Sequence, residues 1–205
     1  MPIGIFDSGL GGLTVASEVR KLLPSEDIIY FGDTGRVPYG NRGRDVIRRY
    51  AKEDAEFLLS KGVKLIIAAC GTVSSVASDI GDTLPVPFVG VVAPASISAV
   101  RATRNRRIGV AGTAATVSSG SFVRTIGKID PEISVFTKAC PLFVNIVEEG
   151  YFSKADPLPA LVTERYLEPL KQADVDTLIL GCTHFPMLSE VISEYMGEKV
   201  TLINA

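Results

Sequence analysis

Short apolar runs alternate along the chain with longer stretches of helical period. Ile3-Gly4-Ile5-Phe6 reads as a strand, the Gly-rich stretch Ser8 to Gly12 as a turn, and Leu13, Ala16, Val19 and Leu23 then recur at helical spacing. Ile28-Ile29-Tyr30-Phe31 forms a second strand. Beyond a Gly- and Pro-containing loop from Gly32 to Gly43, Ile47, Tyr50, Ala51, Ala55 and Leu58 fall on one helix face. Leu65 to Ala69 is apolar without alternation, and Phe88 to Val92 looks the same, as expected of strands covered on both faces. Strand, helix, strand at this spacing predicts βαβ units, a parallel sheet and an α/β fold.

The pattern then restarts. Ile108-Gly109-Val110-Ala111-Gly112-Thr113 echoes Ile3 to Ser8, and Leu178 to Thr183 echoes Ile67 to Thr72. Two echoes at nearly the same offset predict two similar, doubly wound parallel-sheet domains, residues 1–94 and 95–205, with a boundary near Pro94. The alternative is that any two βαβ strands look alike. A helix through Leu158, Val162, Tyr166 and Leu170 is expected to kink or end at Pro169. Thr201 to Ala205 reads as a strand. In a parallel plan a helix would follow it, so the C-terminus is abrupt.

Composition narrows the function classes. The 205 residues carry 21 Lys and Arg against 23 Asp and Glu, a net charge of −2, which leaves no basic surplus for a nucleic acid. Three scattered cysteines do not make a disulfide framework and point to a reducing compartment. One His and no CxxC pair argue against a zinc site. Asp7 interrupts the first apolar run, so no signal peptide is expected, and the longest uncharged stretch, Thr83 to Val100, contains three prolines and is no membrane span. A cytoplasmic globular protein is the expectation.

Asp7, Cys70, Thr113 and Cys182 each stand at the carboxyl end of a predicted strand, where open parallel sheets bind ligands. The default for a cysteine is a small core residue, and Cys140, before Pro141, fits it. Cys70 and Cys182 differ: each follows an apolar strand, precedes a Thr closely (Thr72, Thr183) and opens a helix or turn, where amide dipoles favour a thiolate. One from each half, they would face each other across the cleft. His184, two residues after Cys182, could exchange a proton with it, as Asp7 could with Cys70. Asp7 can equally serve as an N-cap of the helix after Gly12, and both roles can hold together. Neither Cys is followed by the Arg a thiol phosphatase needs. Asp7 to Gly12 is neither GxGxxG nor a Walker loop. Arg101, Arg104, Arg106 and Arg107 read as a solvated helix end.

Gly4 to Val15, Tyr30 to Thr34, Val37-Pro38-Tyr39-Gly40, Cys70 with Thr72, Gly109 to Thr116, Cys140 to Val144, Val147 to Gly150 and Gly181 to Pro186, taken in this order, resemble the glutamate racemases of the cofactor-independent aspartate/glutamate racemase superfamily. The resemblance spans nearly the whole chain. It implies racemisation of glutamate, for peptidoglycan, by two cysteines on opposite faces of Cα: Cys70 and Cys182, the first assisted by Asp7 and the second by His184, with Glu148 near the cleft. It implies substrate contacts at Asp7, Ser8, Tyr39, Gly40, Gly71, Thr72, Thr183 and His184, with Thr113 added by its strand-end position. No cofactor and no metal are implied, and a homodimer is. Two departures stand out. Gly71 replaces the usual Asn after the first cysteine, and relatives continue with a helix that returns to the first half. Alternatives are a racemase of the same superfamily acting on aspartate or another amino acid, and a truncated, non-catalytic binding relative.

Overall fold

Strand β1 (Ile3–Asp7) is buried at all five residues and takes the centre of a sheet. In the computed structural model, which describes residues 1–205, helix α1 (Leu13–Leu22), β2 (Ile28–Gly32), α2 (Arg44–Ser60) and β3 (Leu65–Ala68) follow it. Helix α3 (Gly71–Val76), a 3₁₀ turn at Ser78–Thr83 and β4 (Phe88–Gly90) complete the first half. Strands pair in parallel in the order β2-β1-β3-β4, with Phe6 opposite Phe31 on one side and Ala68 on the other.

Helix α4 (Val92–Ala102) leads into the second half: β5 (Arg107–Gly112), α5 (Ala114–Ser119), α6 (Ser121–Ile129), β6 (Ser134–Ala139), α7 (Pro141–Glu148) and α8 (Pro157–Gln172). Strand β7 (Thr177–Leu180), a 3₁₀ turn at Phe185–Leu188, α9 (Ser189–Met196) and β8 (Thr201–Asn204) close it. Its order, β6-β5-β7-β8, repeats that of the first sheet, again all parallel. The two α/β halves therefore share one plan.

Side chains alternate across each sheet and fill a core on each face. Phe6, Ile66 and Ala68 meet Ile47, Ala51, Ala55 and Leu58 of α2 on one face of the first sheet, while Ile3 and Ile5 face the other. In the second half Leu178 and Leu180 point into the core that contains Cys140, Phe143 and Phe185, and Ile179 points into the opposite one. Each fully buried Leu, Ile or Phe contributes roughly 1.5–3 kcal/mol.

Four expectations are modified. The strand expected over Phe88–Val92 stops at Gly90, because the Ser74 hydroxyl accepts the Val91 N–H at 3.1 Å and Val92 opens α4. Pro94 lies in the first turn of α4, where its missing N–H costs nothing. Helix α8 runs past Pro169 to Gln172, since a proline near the end removes one ladder bond while Leu167 and Leu170 stay anchored in the core. On α1 only part of the expected face packs: Val15, Ala16 and Val19 meet the sheet, whereas Leu13 and Leu23 remain about half exposed. The arginine run is tied down more than a solvated end would be. Asp176 accepts the N–H groups of Arg104 and Asn105, and Arg107 lies over the Phe136 ring.

Candidate active site

The carboxyl ends of β1, β3, β5 and β7 place the predicted residues where the two halves meet. Asp7 is the last residue of β1, and its Oδ2 accepts the N–H groups of Gly9 (3.0 Å) and Gly12 (3.1 Å), which folds the Gly-rich turn around the carboxylate. Gly12 caps α1 without a side-chain contact, so Asp7 holds the turn just before that helix. Cys70 is the N-cap residue of α3, and its thiol lies 3.6 Å from the Ser8 hydroxyl. Thr113 caps α5 through Thr116 N–H. Cys182 lies in the turn after β7, its Sγ 3.8 Å from His184 Nδ1, and His184 Nε2 is hydrogen-bonded to Glu148 at the end of α7.

Contacts between the halves close this region. The Thr183 hydroxyl donates to Asp7 Oδ1 at 3.3 Å, the hydroxyls of Thr72 and Thr113 meet at 3.0 Å, and Ala115 N–H donates to the Gly40 carbonyl at 3.2 Å. A Cβ at Gly71 would stand 2.3 Å from the Gly181 carbonyl oxygen. No side chain larger than hydrogen fits between those backbones. Asp7, Ser8, Cys70, Thr72, Thr113, Cys182, Thr183 and His184 are all buried. Asp7, Ser8, Cys70, Gly71 and Thr72 thus come from one half to meet Thr113, Cys182, Thr183 and His184 of the other, and Glu148 joins them through His184.

Burial governs the ionisation of the three central acids. It raises the Asp7 carboxyl above its usual range, against the opposing pull of the Gly12 N–H, the His184 charge and the Gly9 N–H. The Cys70 thiol is pushed up to about 11 by burial and by the Asp7 charge. Burial raises Cys182 further, although the His184 N–H favours its thiolate. The expected thiolate-favouring turns are present, but desolvation outweighs their amides. Cys140 lies fully buried in the second-half core, as its sequence context suggests.

The Tyr39 phenol is engaged within the first half. Its hydroxyl donates to Asp33 and lies 3.0 Å from Asp54 Oδ2, inside the first half, so only the backbone at Tyr39-Gly40 faces the second half. Arg36 Nη2 reaches Asp54 Oδ1 at 2.8 Å and Arg36 Nε is hydrogen-bonded to Asp33. This buried network was not singled out from the sequence. Its signal was Asp54 itself, a charge between Ala51 and Ala55 on the apolar face of α2.

Two thiols from facing strand ends, each beside its own proton-accepting group, can work on opposite faces of one bound carbon. No three His, Cys, Asp or Glu side chains converge in a geometry suited to a metal ion, and no helix is long and apolar enough to cross a membrane.

A family profile described as Asp/Glu/hydantoin racemase matches residues 14–205. The chain is 48% identical to a glutamate racemase of Geobacter metallireducens over 204 residues, covering 99% of this chain and 75% of that relative. The crystal structure of the Francisella tularensis glutamate racemase in complex with D-glutamate superposes with a TM-score of 0.90 at 41% identity, covering 98% of this chain and 75% of that one. The Thermus thermophilus glutamate racemase in complex with beta-chloro-D-alanine matches at 48% identity and a TM-score of 0.87, over 99% of this chain and 75% of the other.

Proposed function

The chain belongs to the Asp/Glu/hydantoin racemase family, and from that premise we propose that it interconverts L- and D-glutamate by proton transfer at Cα between Cys70 and Cys182. The observation that carries this reading is the pairing of the two thiols. Each is buried at the strand end of a different sheet, and each stands beside a separate polar group, Ser8 and Asp7 for one and the His184–Glu148 pair for the other.

Burial keeps both thiols protonated at neutral pH, so the reaction begins by making one thiolate. Asp7 takes the proton of Cys70, or His184 that of Cys182, breaking an S–H bond and forming O–H or N–H. The thiolate then removes the Cα proton, and the electron pair moves into the substrate carboxylate. The opposite thiol protonates the other face of Cα, giving the enantiomer and exchanging the roles of the two thiols. Backbone donors at the strand ends, in a cleft closed to water, stabilise the developing charge. Ser8, Thr72 and Thr183, with the Gly40 backbone, would hold the substrate carboxylates and amine, and Glu148 would orient His184.

The same reading takes residues 1–94 and 95–205 as two domains that separate to admit substrate and close over it. It places the chain in the cytoplasm as a homodimer, supplying D-glutamate for peptidoglycan. The test follows the optical rotation of L-glutamate. The wild-type protein brings it to zero, while Cys70→Ala and Cys182→Ala each lower the rate by 10³-fold or more, the order expected for removing a proton-transfer group. Full turnover in either variant would contradict the two-thiol mechanism, and racemisation of aspartate alone would contradict the substrate.

A further inference from the structure

Tyr30 stands on β2, an edge strand of the first sheet, where an aromatic residue ordinarily serves packing. Its ring does pack, as Val15 and Ala16 of α1 do, against Ile3, Ile5 and Ala69. The hydroxyl has a separate task. It donates to the Gly9 carbonyl at 2.8 Å, 21 residues away along the chain. Gly9 is buried, and no backbone N–H donates to that carbonyl, so Tyr30 is its only donor in the protein. A buried carbonyl left without a donor is costly, and the phenol therefore decides where the Gly9 peptide lies.

The turn held in this way carries the groups around Cys70. Gly9 and Gly12 give their N–H groups to Asp7 Oδ2, and the Ser8 hydroxyl lies against the Cys70 thiol. The Gly9 carbonyl is thus the outer anchor of a turn whose inner side grips the carboxylate. Two more features of the chain at the end of β2 fix the same place. Asp33 N–H donates to the Asp7 carbonyl at 2.9 Å, and a Cβ at Gly32 would collide with the Gly9 carbonyl oxygen. Burial, and then the charges of Asp7 and Cys70, hold the Tyr30 phenol above its usual range, so it remains a donor throughout the working pH range.

We infer that Tyr30 is a positioning residue for proton transfer at Cys70: through the Gly9 carbonyl it sets the turn that aims Asp7 and Ser8 at the thiol. The inference rests on the two-thiol reading given above. The phenol exchanges no proton and acts only through the turn. The titratable groups that face Asp7 are Tyr30 from β2, Cys70 from the start of α3, and Cys182 and His184 from the turn after β7. Of these, only Tyr30 is bonded to the Gly9 carbonyl, so loss of its hydroxyl loosens the N–H grip and leaves the other three in place. N–H groups on a carboxylate lower its pKa. A loosened turn therefore raises the pH at which Asp7 takes up a proton.

The test is Tyr30→Phe, which keeps the ring in its apolar contacts and removes one oxygen. Its kcat/KM for L-glutamate should fall about tenfold or more, and the acid limb of the pH profile should move up by about half a pH unit or more. In an Asp7→Asn background the same substitution should change kcat/KM by about twofold or less, because the group it acts through is already gone. Gly32→Ala, which displaces the same carbonyl from β2, should reproduce the fall. Alkylation reads the turn without turnover. Iodoacetamide should reach Cys70 about threefold faster or more in Tyr30→Phe, while the fully buried Cys140 keeps its wild-type rate. Equal falls in both backgrounds, an acid limb that stays in place, or Cys140 opening together with Cys70 would reduce Tyr30 to a packing residue and overturn the inference. A wild-type protein that does not racemise glutamate would instead overturn the two-thiol reading, and the alkylation rates would still decide whether Tyr30 holds the turn.

Discussion

Cys70 opens a helix and Cys182 a turn, both places where amide dipoles favour a thiolate, yet both thiols are held protonated because burial removes the water that a thiolate needs. Residue types and their order disclosed the candidates, but the balance of these two effects depends on how closely the halves approach. That distance is set by contacts far apart in sequence, such as Thr183 to Asp7. The consequence is measurable by alkylation. In the ligand-free protein, iodoacetamide should react slowly with both cysteines at pH 8. The rate at Cys70 should rise about tenfold for each pH step towards 11, following the thiolate fraction. A plateau reached below pH 8 would show a thiol ionised at rest. Tyr39 teaches the same lesson from the other side. The family resemblance implies a substrate contact for the Tyr39-Gly40 pair, and the structure adds that the phenol is taken up by Asp33 and Asp54.

At the scale of elements, hydrophobic period was enough to locate β1, α2, β5 and β7, whose buried faces follow the apolar spacing, and the half-buried edge strand β2. It misplaced two local ends, a strand cut short by the Ser74 hydroxyl and a helix that outran Pro169, and it overstated the packed face of α1, where Leu13 and Leu23 stay half exposed. Period does not disclose what a polar residue does inside an apolar face, and Asp54 is the instance. Burial first, and then the Asp33 charge, raise its carboxyl from 3.8 to about 7. A raised folded value means the folded chain binds the proton more tightly than the unfolded one. The stabilisation is therefore complete below about pH 4 and is lost as pH climbs through about 7. Thermal unfolding of the wild type should show a falling midpoint between pH 5 and pH 8. Asp54→Asn, which keeps the neutral shape, should flatten that fall; an unchanged slope would mean that Asp54 does not titrate there. Gly71 at the start of α3 makes a second case. A methyl group there meets the Gly181 carbonyl at 2.3 Å, so Gly71→Ala should disfavour the closed cleft and lower kcat/KM for glutamate by tenfold or more, with little change in thermal midpoint. Wild-type kinetics in that variant would mean that closure does not depend on this contact.

For the whole molecule, the two echoes in the sequence corresponded to a real duplication of plan, visible in the repeated strand order and in the matching places of Cys70 and Cys182. The facing of the two halves was not legible in either half alone. It depends on Gly11, Gly40 and Gly71, where missing side chains let Thr183, Thr113 and the Gly181 backbone come close. The central claim is that two thiols on opposite faces share one Cα. It is tested most directly by running L-glutamate in D2O and reading deuterium at Cα in both enantiomers during the first few per cent of reaction. The account predicts deuterium in the D-glutamate formed and protium retained in the L-glutamate recovered, because the acid that protonates the product is not the base that took the substrate's proton. Deuterium in the recovered L-glutamate at a rate equal to its appearance in D-glutamate would mean one base serving both faces, and would contradict the account.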